Sequence, residues 1–177
     1  ARSVSNISIP ANASYAVTYD ANGGTGAPSS QTKYNGTALT LSSTKPTRES
    51  YDFIGWNTSS TTTTATYQPG GSYTGNAALK LYAIWKKDIV LTYDANDGEN
   101  PPENQTATIY NATTDATFNI STLEPTRPGF TFKGWSTAPN STAVEYQPGE
   151  EATLSDSTTL YAVWLANECS PFLEITE

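Results

Sequence analysis

The chain has no histidine and no methionine, and its only cysteine is Cys169. Without histidine it cannot form a Ser-His-Asp triad, a Cys-His pair or a histidine-ligated zinc site, and one cysteine cannot make a CxxC cluster. Charged residues make up only 15% of the 177 residues, and Thr, Ser and Asn dominate the remaining polar positions. Most familiar catalytic and zinc sites are therefore excluded.

Positive charge is scarce, and long apolar runs are missing. Nine Lys and Arg residues stand against 17 Asp and Glu residues, which gives a formal net charge of −8. Binding to the nucleic-acid backbone needs a basic face, so we expect no nucleic-acid partner. No apolar run approaches the ~20 residues of a membrane span, so we expect no membrane insertion in this fragment. We expect more protein on at least one side of it.

The sequence contains one unit twice. Residues 16–24 recur at 90–98, and residues 46–85 recur without a gap at 125–164, an offset of 79. The matched block carries Pro-Thr-Arg, Phe-x-Gly-Trp, Tyr-Gln-Pro-Gly and Leu-Tyr-Ala-x-Trp in that order. We therefore divide the chain into an N-terminal segment or linker, two repeats, and a C-terminal tail or start of a following segment: 1–14, 15–87, 88–165 and 166–177.

The hydrophobic pattern predicts strands and very little helix. Residues 15–20 and 89–94 alternate with period two and run into turns that contain Asn and Gly. No window holds a sustained helical period, so any helix is limited to a turn or two, near 75–79 and 154–157. The expected fold class is mostly β or α+β, with two small tandem domains, mixed sheets and little helix.

The strand that ends in Gly-Trp, residues 51–56 in the first repeat, also alternates. Strict alternation divides its side chains between two faces, with Tyr51, Phe53 and Gly55 on one and Ile54 and Trp56 on the other. Each repeat has a thin core for its size, so aromatic burial is expected to carry the fold. The predicted core residues occupy repeated positions: Trp56, Trp85, Trp135, Trp164, Tyr82 and Tyr161.

The ordered set of Tyr-Asp-Ala-Asn, Pro-Thr-Arg with Phe-x-Gly-Trp, and Leu-Tyr-Ala-x-Trp resembles the Listeria–Bacteroides repeat, or internalin B-repeat. The resemblance covers residues 15–86 and 89–165. It implies a β-grasp, ubiquitin-like fold, in which a twisted mixed sheet has a short helix or loop across one face. It also implies a place on secreted or surface-anchored proteins, between a ligand-binding head and a cell-wall anchor. Asp97 departs from the pattern, because the first repeat has Gly23 there.

Carboxylates are the only acid–base groups that the sequence offers at repeated positions. Asp20 and Asp94 precede the Asn turn in each repeat, which is typical of an Asx turn, and nothing places a second carboxylate beside either. The stretch 94–99 resembles half of a calcium loop, but its twelfth position is Gln105 where such a loop requires Glu. We therefore expect no metal, no cofactor and no catalytic residue.

Three further features leave alternatives open. Arg48 and Arg127 are expected to pair with carboxylates of their own repeat or to pack on an aromatic ring, and could instead clamp an acidic partner. Residues 59–64 are Thr-rich and replace 138–143 of the other repeat, which is typical of a variable polar hairpin tip. Cys169 is a free thiol, half of a bond to a neighbouring segment, or a link between two chains.

Aromatic residues outside the repeated positions are free to face solvent. Tyr34, Tyr73 and Tyr110 are therefore the candidate partner contacts. The leading interpretation is a non-enzymatic spacer and protein-interaction module in adhesion, from an extracellular or cell-surface bacterial protein. Its partner would be a protein receptor or a neighbouring domain of the same protein. The alternative is a glycan-binding module that uses exposed aromatic rings.

Overall fold

The computed structural model describes residues 12–111 and 113–168, which form strands and no helix. The mostly-β class is confirmed. The helical turns expected near 75–79 and 154–157 are wrong, because those residues bend between strands. The strands are β1 (Ser14–Asp20), β2 (Gln31–Tyr34), β3 (Leu39–Thr40), β4 (Asp52–Asn57), β5 (Ser72–Tyr73), β6 (Leu79–Asp94), β7 (Gln105–Tyr110), β8 (Ala116–Asn119), β9 (Phe130–Ser136), β10 (Glu151–Leu154) and β11 (Thr158–Ala166).

The described residues divide into two compact units. Unit 1 contains the described residues up to Lys87 together with the described residues of Tyr110–Thr113. Unit 2 contains Asp88–Ile109 and those from Thr114 onward. The boundary after Lys87 falls inside β6.

Unit 1 has a four-stranded mixed sheet in the order β2-β1-β6-β4. β1 runs antiparallel to β2 and parallel to the first part of β6, where Val17 lies opposite Leu79. β4 runs antiparallel to β6. A separate two-stranded sheet pairs β3 with β5, with Leu39 opposite Tyr73. The mixed sheet expected from the resemblance is confirmed for this unit.

Unit 2 repeats the same arrangement with the strands β7, β6, β11 and β9. The second part of β6 runs parallel to β11, with Leu91 opposite Thr158, and β9 runs antiparallel to β11. β8 and β10 form the small sheet, with Phe118 opposite Ala152. β6 is therefore the last strand of the first repeat and the first strand of the second.

A β-bulge interrupts β4 before its tryptophan. Phe53 lies opposite Trp85, but Gly55 lies opposite Ile84, so the register shifts between Phe53 and Gly55. The shift brings Phe53 and Trp56 to the same face of the sheet, although strict alternation predicts opposite faces. That prediction is wrong, because period two fails wherever one strand carries an extra residue.

Each unit buries its own core. In unit 1 the buried cluster consists of Val17, Leu41, Trp56, Tyr73, Leu79, Leu81, Ala83 and Trp85. In unit 2 the buried apolar residues include Leu91, Tyr93, Phe118, Ile120, Trp135, Ala152, Leu160 and Ala162. The indole N–H groups of Trp56 and Trp135 are buried without a hydrogen-bond partner among the described residues, which costs each unit some stability.

The core contains only some of the expected residues. Trp56, Trp85 and Trp135 are each at most 1% exposed. Trp164 is partly exposed, and so are Tyr82 and Tyr161. Tyr82 alternates with the core residues of β6, and the Lys80 ammonium lies 4.6 Å from its ring centre. The two tyrosines therefore belong to the opposite, partly solvated face of the sheet.

Candidate functional site

The turn after the first strand of each unit is built on an aspartate. Asp20 Oδ1 accepts a hydrogen bond from the Asn22 N–H at 2.9 Å, and Asp94 Oδ1 accepts one from the Asn96 N–H at 2.7 Å. The predicted Asx turns are confirmed. The Asn22 N–H, and then Lys80 at 3.1 Å, hold the pKa of Asp20 below its usual value. These carboxylates organise the backbone of the turn.

The asparagine of each turn locks it to the last strand of the unit. Asn22 donates through Nδ2 to the carbonyl of Ala83 at 2.8 Å, and Asn96 donates in the same way to Ala162 at 2.9 Å. Both asparagines have a left-handed backbone, with φ of 48° and 49°. The sequence analysis missed this role, although the repeated Asn was a signal for it.

The stretch that resembles a calcium loop uses its polar atoms in other ways. Asn96 turns its amide NH₂ towards the sheet, and the Asp97 carboxylate lies 3.6 Å from the Arg127 guanidinium. Among residues 12–111 and 113–168, no group of three or more His, Cys, Asp or Glu side chains could hold a metal ion.

The repeated arginine packs on an aromatic ring in both units, as predicted. The Arg48 guanidinium lies 3.8 Å from the centre of the Tyr51 ring, and that of Arg127 lies 4.1 Å from the Phe130 ring. Their hydrogen bonds differ. Arg48 donates to the Asn111 carbonyl at 2.5 Å, whereas Arg127 donates to the Asn96 carbonyl at 3.4 Å and faces the carboxylate of Asp97.

The last tryptophan of each repeat covers the Asx turn. Trp85 Nε1 donates to the carbonyl of Ala21 at 2.9 Å. Trp164 Nε1 donates to Ala95 at 2.9 Å and to Asn96 at 3.0 Å. Two cavities of about 420 and 170 Å³ lie beside Trp164, and Arg127 and Phe130 line both.

The segments 59–64 and 138–143 lie where a hairpin tip was predicted. Main-chain bridges of Trp56 with Tyr67 and of Trp135 with Tyr146 close the hairpins that carry them. Most of their residues are exposed, and short hydroxyl contacts within the loop, such as Ser59 Oγ to Thr61 Oγ1 at 3.3 Å, hold the first tip. The two repeats therefore differ at the surface of these tips.

The chain matches the model of the Listeria-Bacteroides repeat domain twice, over residues 15–84 and 90–163. The chain belongs to the Listeria-Bacteroides repeat family. Two curated proteins of Evansella cellulosilytica are similar to it. One, named "Putative membrane protein", is 28% identical over 158 residues, which is 86% of this chain and 22% of the relative. The other, named "Putative Gly-rich membrane protein", is 29% identical over 126 residues, which is 68% of this chain and 13% of the relative.

This pair of Listeria-Bacteroides repeats thus spans under a quarter of the length of either relative. No solved structure matches the chain significantly. Within the described ranges, no helix is long and apolar enough to cross a membrane.

The three candidate contact residues of the repeats lie in different surroundings. Tyr34 is 57% exposed at the end of β2, and Tyr110 is partly exposed at the end of β7. Tyr73 is only 8% exposed, and its hydroxyl donates to the carbonyl of Ala77 at 3.0 Å. The expectation that Tyr73 faces solvent is wrong, because its ring fills the core above the small sheet. A glycan platform made of all three rings is therefore excluded.

The structure shows one buried cation that the sequence analysis missed. Lys33 is fully buried, and its ammonium donates to the carbonyl of Tyr34 at 2.6 Å and to Asn76 Oδ1 at 3.0 Å. Asn76 Oδ1 also accepts from the Gly36 N–H at 2.9 Å. The hydrogen bonds tie the β2 end to the loop before β6, which is a structural use of the lysine. Cys169 lies outside the described residues.

Proposed function

We propose that the two repeats are a non-enzymatic spacer and protein-interaction region of a bacterial cell-surface or secreted protein that takes part in adhesion. The observation that carries this proposal is the way the two units divide their residues. The repeated aromatic and Asn residues have structural roles in the sheet, the bulge and the Asx turn. Among the residues that differ between the repeats, those at 59–64 and 138–143 lie on hairpin tips.

A surface of this kind suits spacing and modest protein contacts. The net charge of −8 and the exposed Ser, Thr and Asn side chains favour solubility. Loops on a rigid scaffold can change without disturbing the core, so the tips are the natural place for partner contacts. The membrane-protein names of the longer relatives support a place at the cell envelope.

The test is binding of the fluorescently labelled chain to intact epithelial cells, with protease-treated and periodate-treated cells in parallel. We expect saturable binding that unlabelled chain competes away and that protease treatment of the cells removes. Binding that periodate removes would favour a glycan partner instead. The absence of saturable binding would contradict the interaction role.

A matched variant locates the contact. Residues 59–64 are replaced by the six residues of 138–143, which occupy the same place in the other repeat. Because the swap keeps loop length and family context, we expect it to preserve folding. Weaker cell binding of this variant would place the contact on the first tip, and unchanged binding would argue against that tip.

A further inference from the structure

The last tryptophans of the two repeats differ in exposure. Trp85 is 1% exposed, whereas Trp164 is partly exposed, although the two residues occupy equivalent positions. A turn that comes later in the sequence than Trp85 belongs to unit 1. In this turn the Asn111 N–H donates to the carbonyl of Trp85 at 3.1 Å, and Asn111 Oδ1 accepts from the Trp85 N–H at 3.1 Å. Unit 1 is therefore completed by chain that follows its last tryptophan.

Two side chains of unit 1 hold the turn through hydrogen bonds. Arg48 donates to the carbonyl of Asn111, and the Tyr51 hydroxyl donates to the carbonyl of Thr113 at 3.3 Å. Because both contacts need an acceptor on the occupant, this surface suits a polar turn.

Unit 2 has lost both contacts at the equivalent surface. Phe130 stands where unit 1 has Tyr51, so the hydroxyl donor is missing. Asp97 stands where unit 1 has Gly23, and its carboxylate lies 3.6 Å from the Arg127 guanidinium. Arg127 is thus held at the Asx turn of its own unit. The surface of unit 2 therefore suits an apolar segment better than a polar turn.

This surface of unit 2 contains a cavity of about 420 Å³. Pockets that hold ligands in proteins have volumes of ~300–1,000 Å³. The apolar part of the lining consists of Pro128, Phe130, Phe132 and Trp164. We call these four residues the Trp164 groove.

The described chain leaves unit 2 beside the Trp164 groove. The Asn167 N–H donates to the carbonyl of Gly129 at 2.9 Å. Gly129 stands between Pro128 and Phe130, which both line the groove. An extended chain spans ~3.3–3.6 Å per residue, so the residues that directly follow Glu168 can reach the groove.

The sequence of residues 169–177 suits an apolar groove. Ser170-Pro171 is a pair that favours turn initiation, and a turn there would direct the chain back towards the groove. Three apolar residues follow the turn pair: Phe172, Leu173 and Ile175.

The charges of the cavity select which part of this segment enters. Glu99 and Glu124 also line the cavity, and each would repel another carboxylate. Glu174 is the first acidic residue after Cys169. The uncharged residues 171–173 are therefore the part that suits the groove.

We propose that residues 169–177 bind in the Trp164 groove, with Phe172 and Leu173 against Phe130 and Trp164. The segment would cover the exposed part of Trp164. Each unit would then be completed by chain that follows its last tryptophan, through hydrogen bonds in unit 1 and through apolar contact in unit 2. The inference goes beyond the proposed function and does not depend on adhesion.

The first test is a nuclear Overhauser experiment by NMR on the full chain. We expect cross-peaks between the ring protons of Phe172 and those of Phe130 and Trp164. A mixed sample of isotope-labelled and unlabelled chains separates contacts within one chain from contacts between chains. The absence of these cross-peaks would overturn the proposal. Cross-peaks that arise only between chains would also overturn it, because the occupant would then be a second copy.

The second test is quenching of tryptophan fluorescence by acrylamide. Trp56, Trp85 and Trp135 are each at most 1% exposed, so quenching reports mainly on Trp164. We expect the natural chain to be quenched weakly. Replacing both Phe172 and Leu173 by Ala should increase quenching, because the indole loses its cover.

The control repeats the double substitution in a Trp164→Phe background, which keeps an aromatic ring in the groove. The increase in quenching should disappear there, since the other three tryptophans stay buried. Equal quenching of the natural chain and the double variant would overturn the proposal. An increase that persists in the Trp164→Phe background would overturn it too, because the substitutions would then act on a tryptophan outside the groove. Neither test involves cells, so failure of the adhesion role would be separately visible.

Discussion

Phe53 and Trp56 stack edge to face with ring centres 5.0 Å apart, although they are three residues apart in one strand. Phe132 and Trp135 repeat the contact at 5.1 Å. In each unit the bulge between the two aromatics makes this possible, and the glycine at the bulge has a left-handed φ, of 132° at Gly55. The Phe-x-Gly-Trp motif thus forms a bulge, which places both aromatic rings on the same face of the strand so that they pack together in the core.

The glycine at the bulge of unit 2 is the first target for a test. A Cβ at Gly134 would lie 2.5 Å from Val144 Cγ1 and 2.9 Å from the carbonyl of Tyr146, at a φ of 141°. Both the backbone conformation and the space exclude a side chain. We expect Gly134→Ala to lower the free energy of unfolding of unit 2 by about 2–4 kcal/mol, measured by chemical denaturation.

Gly129 provides the control for backbone strain without a steric clash. Its φ is 77°, but a Cβ there would meet nothing within 4 Å. We expect Gly129→Ala to cost only about 1 kcal/mol, from the left-handed backbone alone. If Gly129→Ala and Gly134→Ala lowered the free energy of unfolding equally, close packing at the bulge would not contribute to stability.

The buried tryptophans are the second target. Trp135 is fully buried against Tyr93 and Phe132, with ring centres 5.0 and 5.1 Å away. We expect Trp135→Ala to cost unit 2 about 3–5 kcal/mol in the free energy of unfolding. Trp164→Ala is the matched comparison and should cost less, because Trp164 is partly exposed. An unchanged melting curve for Trp135→Ala would contradict the assignment of this residue to the core.

The sequence predicted the strands well because their alternation and the turns between them are local features. It predicted the faces of β4 wrongly, since one extra residue inverts every later position of a strand. Gly55 inside the strand was the available signal, because a glycine within a strand often marks a bulge. The repeat made the signal stronger, as Gly134 stands at the same place.

The burial of Tyr73 could not be predicted by comparing the sequences of the two repeats, because it depends on the residue opposite it in the small sheet. Tyr73 lies opposite Leu39 in the small sheet of unit 1, and Ala152 lies opposite Phe118 in unit 2. The aromatic ring has moved from one strand of the pair to the other, so the core volume is roughly kept. A residue that differs between repeats is therefore not necessarily a surface residue.

The third prediction concerns alkaline pH. Burial raises the pKa of Tyr93, although the Ser121 N–H that donates to its hydroxyl at 2.8 Å acts in the opposite direction. A raised pKa means that the folded state holds the proton more tightly. The stability from this group is thus complete below pH 10, its ordinary value, and is lost as the pH rises through the folded value.

Tyr93→Phe removes both the titrating hydroxyl and the acceptor for Ser121. At neutral pH we expect unit 2 to lose about 1–2 kcal/mol, because the partly buried Ser121 N–H loses its acceptor. Above pH 10 the stability of the variant should fall less steeply than that of the natural chain. Amide exchange followed separately for the two units gives the measurement, and unit 1, which keeps Tyr19, is the internal control. Parallel pH profiles for the variant and the natural chain would contradict the prediction.

The last prediction concerns a residue that belongs to one repeat by sequence and to the other compact unit by its contacts. Asn111 belongs to the second repeat by sequence, yet its side chain bonds to Trp85 and Thr62 of unit 1. Asn111→Ala leaves the Trp85 N–H and the Thr62 carbonyl without these partners. We therefore expect a loss of about 1–3 kcal/mol, seen as faster amide exchange at Trp85 and its neighbours in β4 and β6, while the exchange of β9 and β11 stays unchanged.

Asn35→Ala is the matched control, because Asn35 follows a tyrosine in the corresponding turn of the first repeat and uses its backbone, not its side chain, to bond to Ala13. In Asn35→Ala, the amide exchange rate of Trp85 should equal that of the natural chain within error. If Asn111→Ala instead loosened β9 and β11 and spared Trp85, residues 110–113 would complete the unit of their own repeat.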